Sequence, residues 1–572
     1  MRKSLISIFL IILAVILVLG SCGEAERTQP TTTSQPTFPS QPTFTSPPTS
    51  APTTQPTMMP TTTSPPTDTI GLSVGGSKDI NNFRENIYND YLPLPTDITY
   101  EGLFYDYYFD TGIQQPTRKL YSPSYSYAVT RDPLSGETEY YLSVGLNSGL
   151  KEKDFARKKL NLVIVIDVSG SMQEQYNQYY YDRYGNRQDA YAGEGITRLT
   201  KMQSAANAVV DILNQLNQDD RLSIITFSSH AHVLQQMESV RYLDMNDVKN
   251  EVLDIRAGGN TNMSAGIERG TEQLYRSYES NSYEYENRVI LLTDAQPNTG
   301  DLTSSGMMGR VRNNSEVQIY TTFIGIGVDF NSQLIEEITK VKGANYYSVH
   351  SPRDFRDRVN EEFEFMVTPL IFNLQLDFES YGWRIEKVFG SPEADQSTGN
   401  LMKINTLFPS KSEGGENKGG LVLLKLRKMT SQPGEAVYLR VTYEDRYGRS
   451  DISEEIIVLE SQSPEYFDNS GIRKGILLVR YAALMKNWLI DEYQYAHYSH
   501  PWEPSIREDT GIIIPIETGF SQWERQSMPL VVSAPYQWIF LDFLEYFESE
   551  MYAIQDYTLW QELEILAILC TQ

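Results

Sequence analysis

Three short segments carry oxygen-bearing side chains at spacings that suit cation chemistry. The first is Asp167-Val168-Ser169-Gly170-Ser171. The second is Thr261-Asn262, after the turn Gly258-Gly259-Asn260. The third is Asp294-Ala295-Gln296-Pro297-Asn298. Asp, Ser and Thr offer hard oxygen donors, and an all-oxygen donor set selects Mg2+, Mn2+ or Ca2+ over softer ions. The alternation in Asp-x-Ser-x-Ser sets three oxygens on one side of a turn, and Gly170 lets the backbone come close. Each residue alone also has an ordinary use. An Asp at a strand end caps the next helix, Ser and Gly build turns, and Thr261 suits the N-cap of a helix starting near Met263. Other candidates are weaker. His497 and His500 have no nearby Cys or carboxylate cluster of metal-site spacing and read as structural. Cys22 and Cys570 are the only cysteines, which excludes a disulfide framework and a thiolate zinc site.

The elements around these segments give them a common location. Between residues 158 and 368 apolar strands alternate with amphipathic helices. Leu162–Ile166, Leu222–Phe227, Val289–Thr293, Ile319–Gly327 and Tyr346–Val349 read as strands. The run Leu199 to Leu216, Met263–Tyr278, Gln333–Val341 and Arg353–Val367 read as helices. This alternation predicts a doubly wound, mostly parallel α/β sheet, in which ligands bind at the carboxyl ends of the strands. Asp167 and Asp294 each follow directly on such a strand.

Asp-x-Ser-x-Ser, a distant Gly-Gly-x-Thr-Asn and a later Thr-Asp-x-x-Pro-Asn, in that order, resemble the metal-ion-dependent adhesion site of von Willebrand factor A domains. The resemblance implies that Ser169, Ser171 and Thr261 give hydroxyl ligands to a divalent cation, Mg2+ first and Mn2+ or Ca2+ as alternatives. It implies that Asp167 and Asp294 act directly or through bound water. One coordination position then stays open for the Asp or Glu carboxylate of a protein partner. Ala295 departs from the pattern, since many relatives carry glycine there.

Between Met172 and Thr197 lies a segment without strand or helix periodicity, holding Tyr176, Tyr179, Tyr180, Tyr181, Tyr184 and Tyr191. It leaves from the first oxygen-bearing segment. Tyrosine gives amphipathic contact area at low entropic cost, so Tyr179, Tyr180, Tyr181 and Tyr184 read as a ligand-selectivity loop. A packed or disordered insertion is the competing reading.

The amino terminus carries Arg2 and Lys3, an apolar run from Leu5 to Leu19, and then Gly20-Ser21-Cys22. The run is short for a membrane span of about 20 residues and fits a secretory signal. Its end resembles the lipobox of bacterial lipoproteins, which implies lipidation at Cys22 and an extracytoplasmic protein anchored to the membrane. Thr28 to Thr67 is almost wholly Thr, Pro, Ser and Gln without charge, the composition of an extended stalk. Segments at 98–150 and 370–460 alternate like antiparallel strands and predict a flanking β-sandwich, with the α/β domain inserted within it. From Gly471 the pattern turns helical, with one helix around Ile476–Leu489 and a second, long and acidic, over Trp538–Ile568. The expected domains are therefore 1–22 signal, 23–68 stalk, 69–157 β-rich flank, 158–368 α/β domain, 369–462 β-sandwich flank and 463–572 helical region.

The chain has 572 residues and a formal charge of −26. That balance argues against nucleic acid, which calls for a basic footprint. The leading functional expectation is a surface-displayed module that binds protein through a divalent cation, without catalysis. An accessory or assembly subunit of a membrane complex is the alternative. A metal-assisted hydrolase ranks lower, because there is no Gly-x-Ser-x-Gly nucleophile elbow.

Overall fold

The apolar run after Lys159 is buried on both sides. Leu160, Leu162, Ile164 and Ile166 face one core, while Val163 and Val165 face another. This is the alternation of a strand covered on both faces. In the computed structural model of the chain, Lys159–Asp167 lies in the interior of a seven-stranded sheet. The structure describes residues 69–112, 118–175, 199–276, 283–349, 352–393, 398–429, 436–495 and 528–572. Cys22, the Thr/Pro-rich stretch, the tyrosines Tyr179, Tyr180, Tyr181 and Tyr184, and His497 and His500 lie outside these residues.

Across the sheet the strands run Gly76–Ser77, Asn345–Val349, Ile319–Ile326, Tyr285–Thr293, Lys159–Asp167, Arg221–Phe227 and Ala231–Ser239. Every neighbouring pair is parallel except the last, a hairpin. Helices Lys201–Leu213, Met245–Leu253 and Pro352–Val367 contribute to the core on one face. Met263–Arg276, Ser304–Glu316 and Ser332–Thr339 contribute to the core on the other. The doubly wound, mostly parallel sheet is thus present. The hairpin strand Ala231–Ser239 and the helices Met245–Leu253 and Ser304–Glu316 add to what the sequence pattern indicates. Their weak signal has a cause: Ser304–Glu316 places only Met307 and Val311 in the core.

The flanking segments build the expected β-unit around the α/β insertion. Ten of their strands form one hydrogen-bonded antiparallel sheet, and Tyr108–Phe109, Ser412–Glu413 and Glu416–Lys418 form a small second one. The segments before and after the α/β unit are joined by Thr69–Val74, which pairs with Thr138–Lys151 on one side and Leu401–Ser410 on the other, and by Leu421–Lys428, which also pairs with Thr138–Lys151. The apolar side chains of the large sheet, from Ile70 and Val144 to Trp383 and Leu439, share a single core. The chain leaves this sheet after Lys151, builds the α/β unit, and returns at Ile371. The same amino-terminal segment then turns at Gly76, whose φ of +95° favours glycine, and supplies the edge strand Gly76–Ser77 to the α/β sheet. Asp79 holds this junction, accepting hydrogen bonds from the Ser348 backbone N–H at 3.2 Å and from Arg358 Nη1 at 2.7 Å.

A fourth core joins the helices Asn81–Tyr88 and Tyr100–Tyr105 to the carboxyl-terminal helices Ser470–Tyr495, Ala534–Ile554 and Trp560–Leu569. The expected single helix over Trp538–Ile568 is two helices. Gln555 takes a left-handed conformation, φ 62°, and its N–H closes the first helix on the Met551 carbonyl. Asp556 then caps the next turn by accepting from the Thr558 N–H. Within the first of these helices Phe540, Phe543 and Phe547 are core, whereas Trp538 is 67 % exposed. Among the described residues no helix is long and apolar enough to cross a membrane.

Candidate functional site

Asp167 is the last residue of its strand and is fully buried. Its Oδ1 accepts from the Ser169 N–H at 2.9 Å, and its Oδ2 accepts from the Thr293 hydroxyl at 2.7 Å. Thr293 in turn accepts from the Ala295 N–H at 2.8 Å, so the ends of the two neighbouring strands are locked to each other. The Ser169 and Ser171 hydroxyl oxygens stand 3.0 Å apart. The carboxylate therefore orients the loop that carries the two hydroxyls.

The second segment is stitched to the first. The Gly170 N–H donates to the Gly259 carbonyl at 2.8 Å, and the Gly258 N–H donates to the Val168 carbonyl at 2.6 Å. A Cβ at position 170 would stand 3.2 Å from the Gly259 oxygen, and Gly259 itself has φ +93°. Gly259 is thus favoured by its backbone conformation, and Gly170 by the close approach of the two loops. The helix Met263–Arg276 is capped by Asn262, whose Oδ1 accepts from the Ala265 N–H at 3.1 Å. Capping therefore does not explain Thr261. The Thr261 backbone is instead tied to the third segment: its N–H donates to Asn298 Oδ1 at 2.9 Å, and its carbonyl accepts from the Asn298 and Thr299 N–H groups.

Asp294, also fully buried, completes the group at the carboxyl end of Tyr285–Thr293. Its Oδ2 stands 3.3 Å from Lys201 Nζ. Its Oδ1 is buried and has no hydrogen-bond partner. Burial first, and then the charge of Asp294, raise the pKa of Asp167 above the usual carboxylate range. Two adjoining buried carboxylates, one with an orphaned oxygen, and a pair of hydroxyls make a donor set that fits a hard divalent cation. Among the described residues no group of three or more His, Cys, Asp and Glu converges in a metal-holding arrangement. The donors here are two carboxylates assisted by hydroxyls.

The structure thus brings Asp167, Ser169, Ser171, Thr261 and Asp294 onto three interlinked loops at the carboxyl ends of the strands. Two participants escape sequence reasoning. Lys201 and Asp329 are fully buried, and Lys201 Nζ lies 2.6 Å from Asp329 Oδ1. Lys201 sits at the start of a helix that otherwise reads as an ordinary amphipathic one. Cys570 is half-buried and unpaired, and burial pushes its pKa up to about 12, which disfavours the reactive thiolate.

Comparison with known proteins locates this architecture. Residues 161–361 match the family model of the von Willebrand factor type A domain. The chain is 24% identical over 246 residues to mouse inter alpha-trypsin inhibitor heavy chain 4, covering 42% of this chain and 24% of the relative. It is 23% identical over 263 residues to human inter-alpha-trypsin inhibitor heavy chain H2, covering 44% and 24%. The matched region spans about a quarter of the length of these relatives. Among solved structures, a von Willebrand factor type A protein from Catenulispora acidiphila superposes with a TM-score of 0.41 at 13% identity, covering 67% of this chain and 84% of that one. The ArnB paralog VWA2 from Sulfolobus acidocaldarius superposes with a TM-score of 0.38 at 14% identity, covering 79% and 98%. The family match, together with the mostly parallel sheet it falls on, identifies residues 161–361 as a von Willebrand factor type A domain, in a chain that is similar over less than half its length to inter-alpha-trypsin inhibitor heavy chains.

Proposed function

We propose that the chain is an extracytoplasmic lipoprotein, anchored through Cys22, that binds a protein partner through a divalent cation held at the carboxyl ends of the α/β sheet. Domains of this family mediate protein–protein interactions, often with a metal ion, and act as non-enzymatic modules. The observation that carries the reading is the buried Asp294 Oδ1 without a partner, beside Asp167 and the Ser169–Ser171 hydroxyl pair. A cation there supplies local positive charge that attracts a carboxylate. Asp167 and Asp294 hold the ion, the hydroxyls of Ser169, Ser171 and Thr261 add neutral donors, and a partner's Asp or Glu completes the set. Mg2+ is the first choice of ion, with Mn2+ and Ca2+ as alternatives. The tyrosines at 179, 180, 181 and 184 supply selectivity.

The reading is tested by capture from membranes and culture medium on the purified chain, in Mg2+ and in EDTA, with Thr261→Ala and Cys22→Ser in parallel. Cation-dependent capture of a protein, lost in Thr261→Ala, supports it. Detergent-phase partitioning that Cys22→Ser abolishes supports the anchor. Capture indifferent to EDTA places the partner elsewhere on the molecule and removes the adhesion reading. Capture of a stoichiometric membrane complex favours an accessory-subunit role.

A further inference from the structure

Lys201 stands where helix electrostatics oppose it. It is the first residue of the helix Lys201–Leu213, whose N-cap Thr200 and Gln203 form a reciprocal capping box. The positive end of the helix dipole disfavours a cation in that turn. Burial disfavours it as well, and Lys201 is fully buried. What holds the ammonium is a pair of fully buried carboxylates on two different loops, Asp294 Oδ2 at 3.3 Å and Asp329 Oδ1 at 2.6 Å. Asp294 is the residue whose other oxygen has no partner. The lysine thus engages one oxygen of Asp294 and leaves the opposite one for the site.

We infer that Lys201 is a built-in counter-cation of the site. It keeps Asp294 and Asp329 compensated when no divalent ion is bound, fixes which Asp294 oxygen is presented, and lowers the affinity for the ion. The inference rests on the cation-site reading above. Three carboxylates, Asp167, Asp294 and Asp329, and one ammonium leave a formal charge of −2, which a divalent ion neutralises. Without Lys201 the site is more negative and grips the ion harder. Without the charge of Asp329, the ammonium offsets more of the charge of Asp294 and the ion is held more weakly. The two substitutions therefore act in opposite directions, whereas simple damage to a buried ion pair would move both the same way.

The test is calorimetric titration of the full chain with Mg2+ and with Mn2+, for wild type, Lys201→Met, Asp329→Asn and the double variant. Urea unfolding in EDTA and in saturating Mg2+ accompanies each titration. Lys201→Met is expected to bind the ion about tenfold more tightly and Asp329→Asn about tenfold more weakly, with the double variant within about threefold of wild type. In EDTA, Lys201→Met unfolds at lower urea than wild type, and Mg2+ restores more stability to it than to wild type. Should Lys201→Met not fold in EDTA, Lys201→Gln, which keeps a hydrogen-bond donor, carries the same expected sign. Wild type that binds the ion, with Lys201→Met or Lys201→Gln no tighter, overturns this inference and leaves the cation site standing. Wild type that binds neither ion overturns both.

Discussion

Replacing Asp167 by Asn and by Ala separates its charge from its hydrogen bonds. The carboxylate accepts from the Ser169 N–H and the Thr293 hydroxyl inside a fully buried pocket. Ala removes both acceptors. A buried donor left unmade costs about 1–3 kcal/mol, and relief of repulsion from Asp294 offsets part of that sum. The expected loss in EDTA is about 2–4 kcal/mol. Asn keeps an acceptor oxygen and removes a buried charge that burial and Asp294 both disfavour. Its amide nitrogen cannot accept the second of the two hydrogen bonds, which offsets that relief, so Asp167→Asn is expected within about 1 kcal/mol of wild type in EDTA. In Mg2+ wild type moves ahead of both variants. An ion at one hundred times its dissociation constant adds about 2.7 kcal/mol to the protein that binds it. Wild type gains this increment and neither variant does. Urea unfolding with and without Mg2+, together with titration calorimetry, reads all three quantities. A full Mg2+ increment in Asp167→Asn would falsify the assignment of Asp167 to the cation. Collapse of Asp167→Asn in EDTA would show that its charge is structural.

Further outcomes follow from buried charges elsewhere. Glu562 is fully buried, bonded to Arg84 and accepting from the Tyr107 hydroxyl at 2.8 Å, and Arg84 also pairs with Asp106 at 2.7 Å, so Glu562→Leu removes one of two compensating carboxylates and is expected to cost about 1–3 kcal/mol in urea unfolding. Burial pushes both Glu101 and Glu393 up to about 7, so the folded chain holds more protons than the unfolded one between pH 4.5 and 7. The contribution of these two groups to stability is then greatest below pH 4.5 and falls as the pH rises to 7, by up to about 3 kcal/mol per group, and Glu101→Gln with Glu393→Gln removes that part of the urea-midpoint profile. Ala295 has φ 53° and a buried methyl, so Ala295→Gly relieves backbone strain while losing apolar burial, and thermal unfolding is expected to show a net change under about 1 kcal/mol.

The sequence is most informative where one residue type repeats with one geometric consequence. Leu162 to Ile166 announces a strand buried on both faces because every position is apolar, and the packing into two cores follows. Asp167, Ser169, Thr261 and Asp294 can be placed together because a parallel sheet gathers the carboxyl ends of its strands, whatever their distance along the chain. Pairings without a local pattern are silent. Thr69–Val74 is a six-residue strand that joins two distant segments into one sheet, and Gly76–Ser77 is a two-residue edge of another. Gln555 breaks a helix from a left-handed conformation that glycine would have signalled and glutamine does not. Lys201 and Asp329 meet only through the fold, and a lysine beside Met202 and Ala205 reads as the solvated end of an amphipathic helix.

Charge decides where recognition can happen on this molecule. A chain of formal charge −26 repels an acidic partner at a distance, and screening confines that field to about 8 Å at physiological salt. Attraction for a carboxylate must then be generated within contact range, by a group whose position does not depend on long, solvated side chains. The loops around Asp167 and Asp294 meet that condition. Their carboxylates are buried, their backbones are hydrogen-bonded to one another through Gly170, Gly258 and Thr261, and Lys201 holds Asp294 from behind. Such a platform holds its donors through hydrogen bonds and ion pairs of the protein itself. On the proposed reading the ion's contribution goes to the partner, as a local positive charge on an otherwise negative molecule.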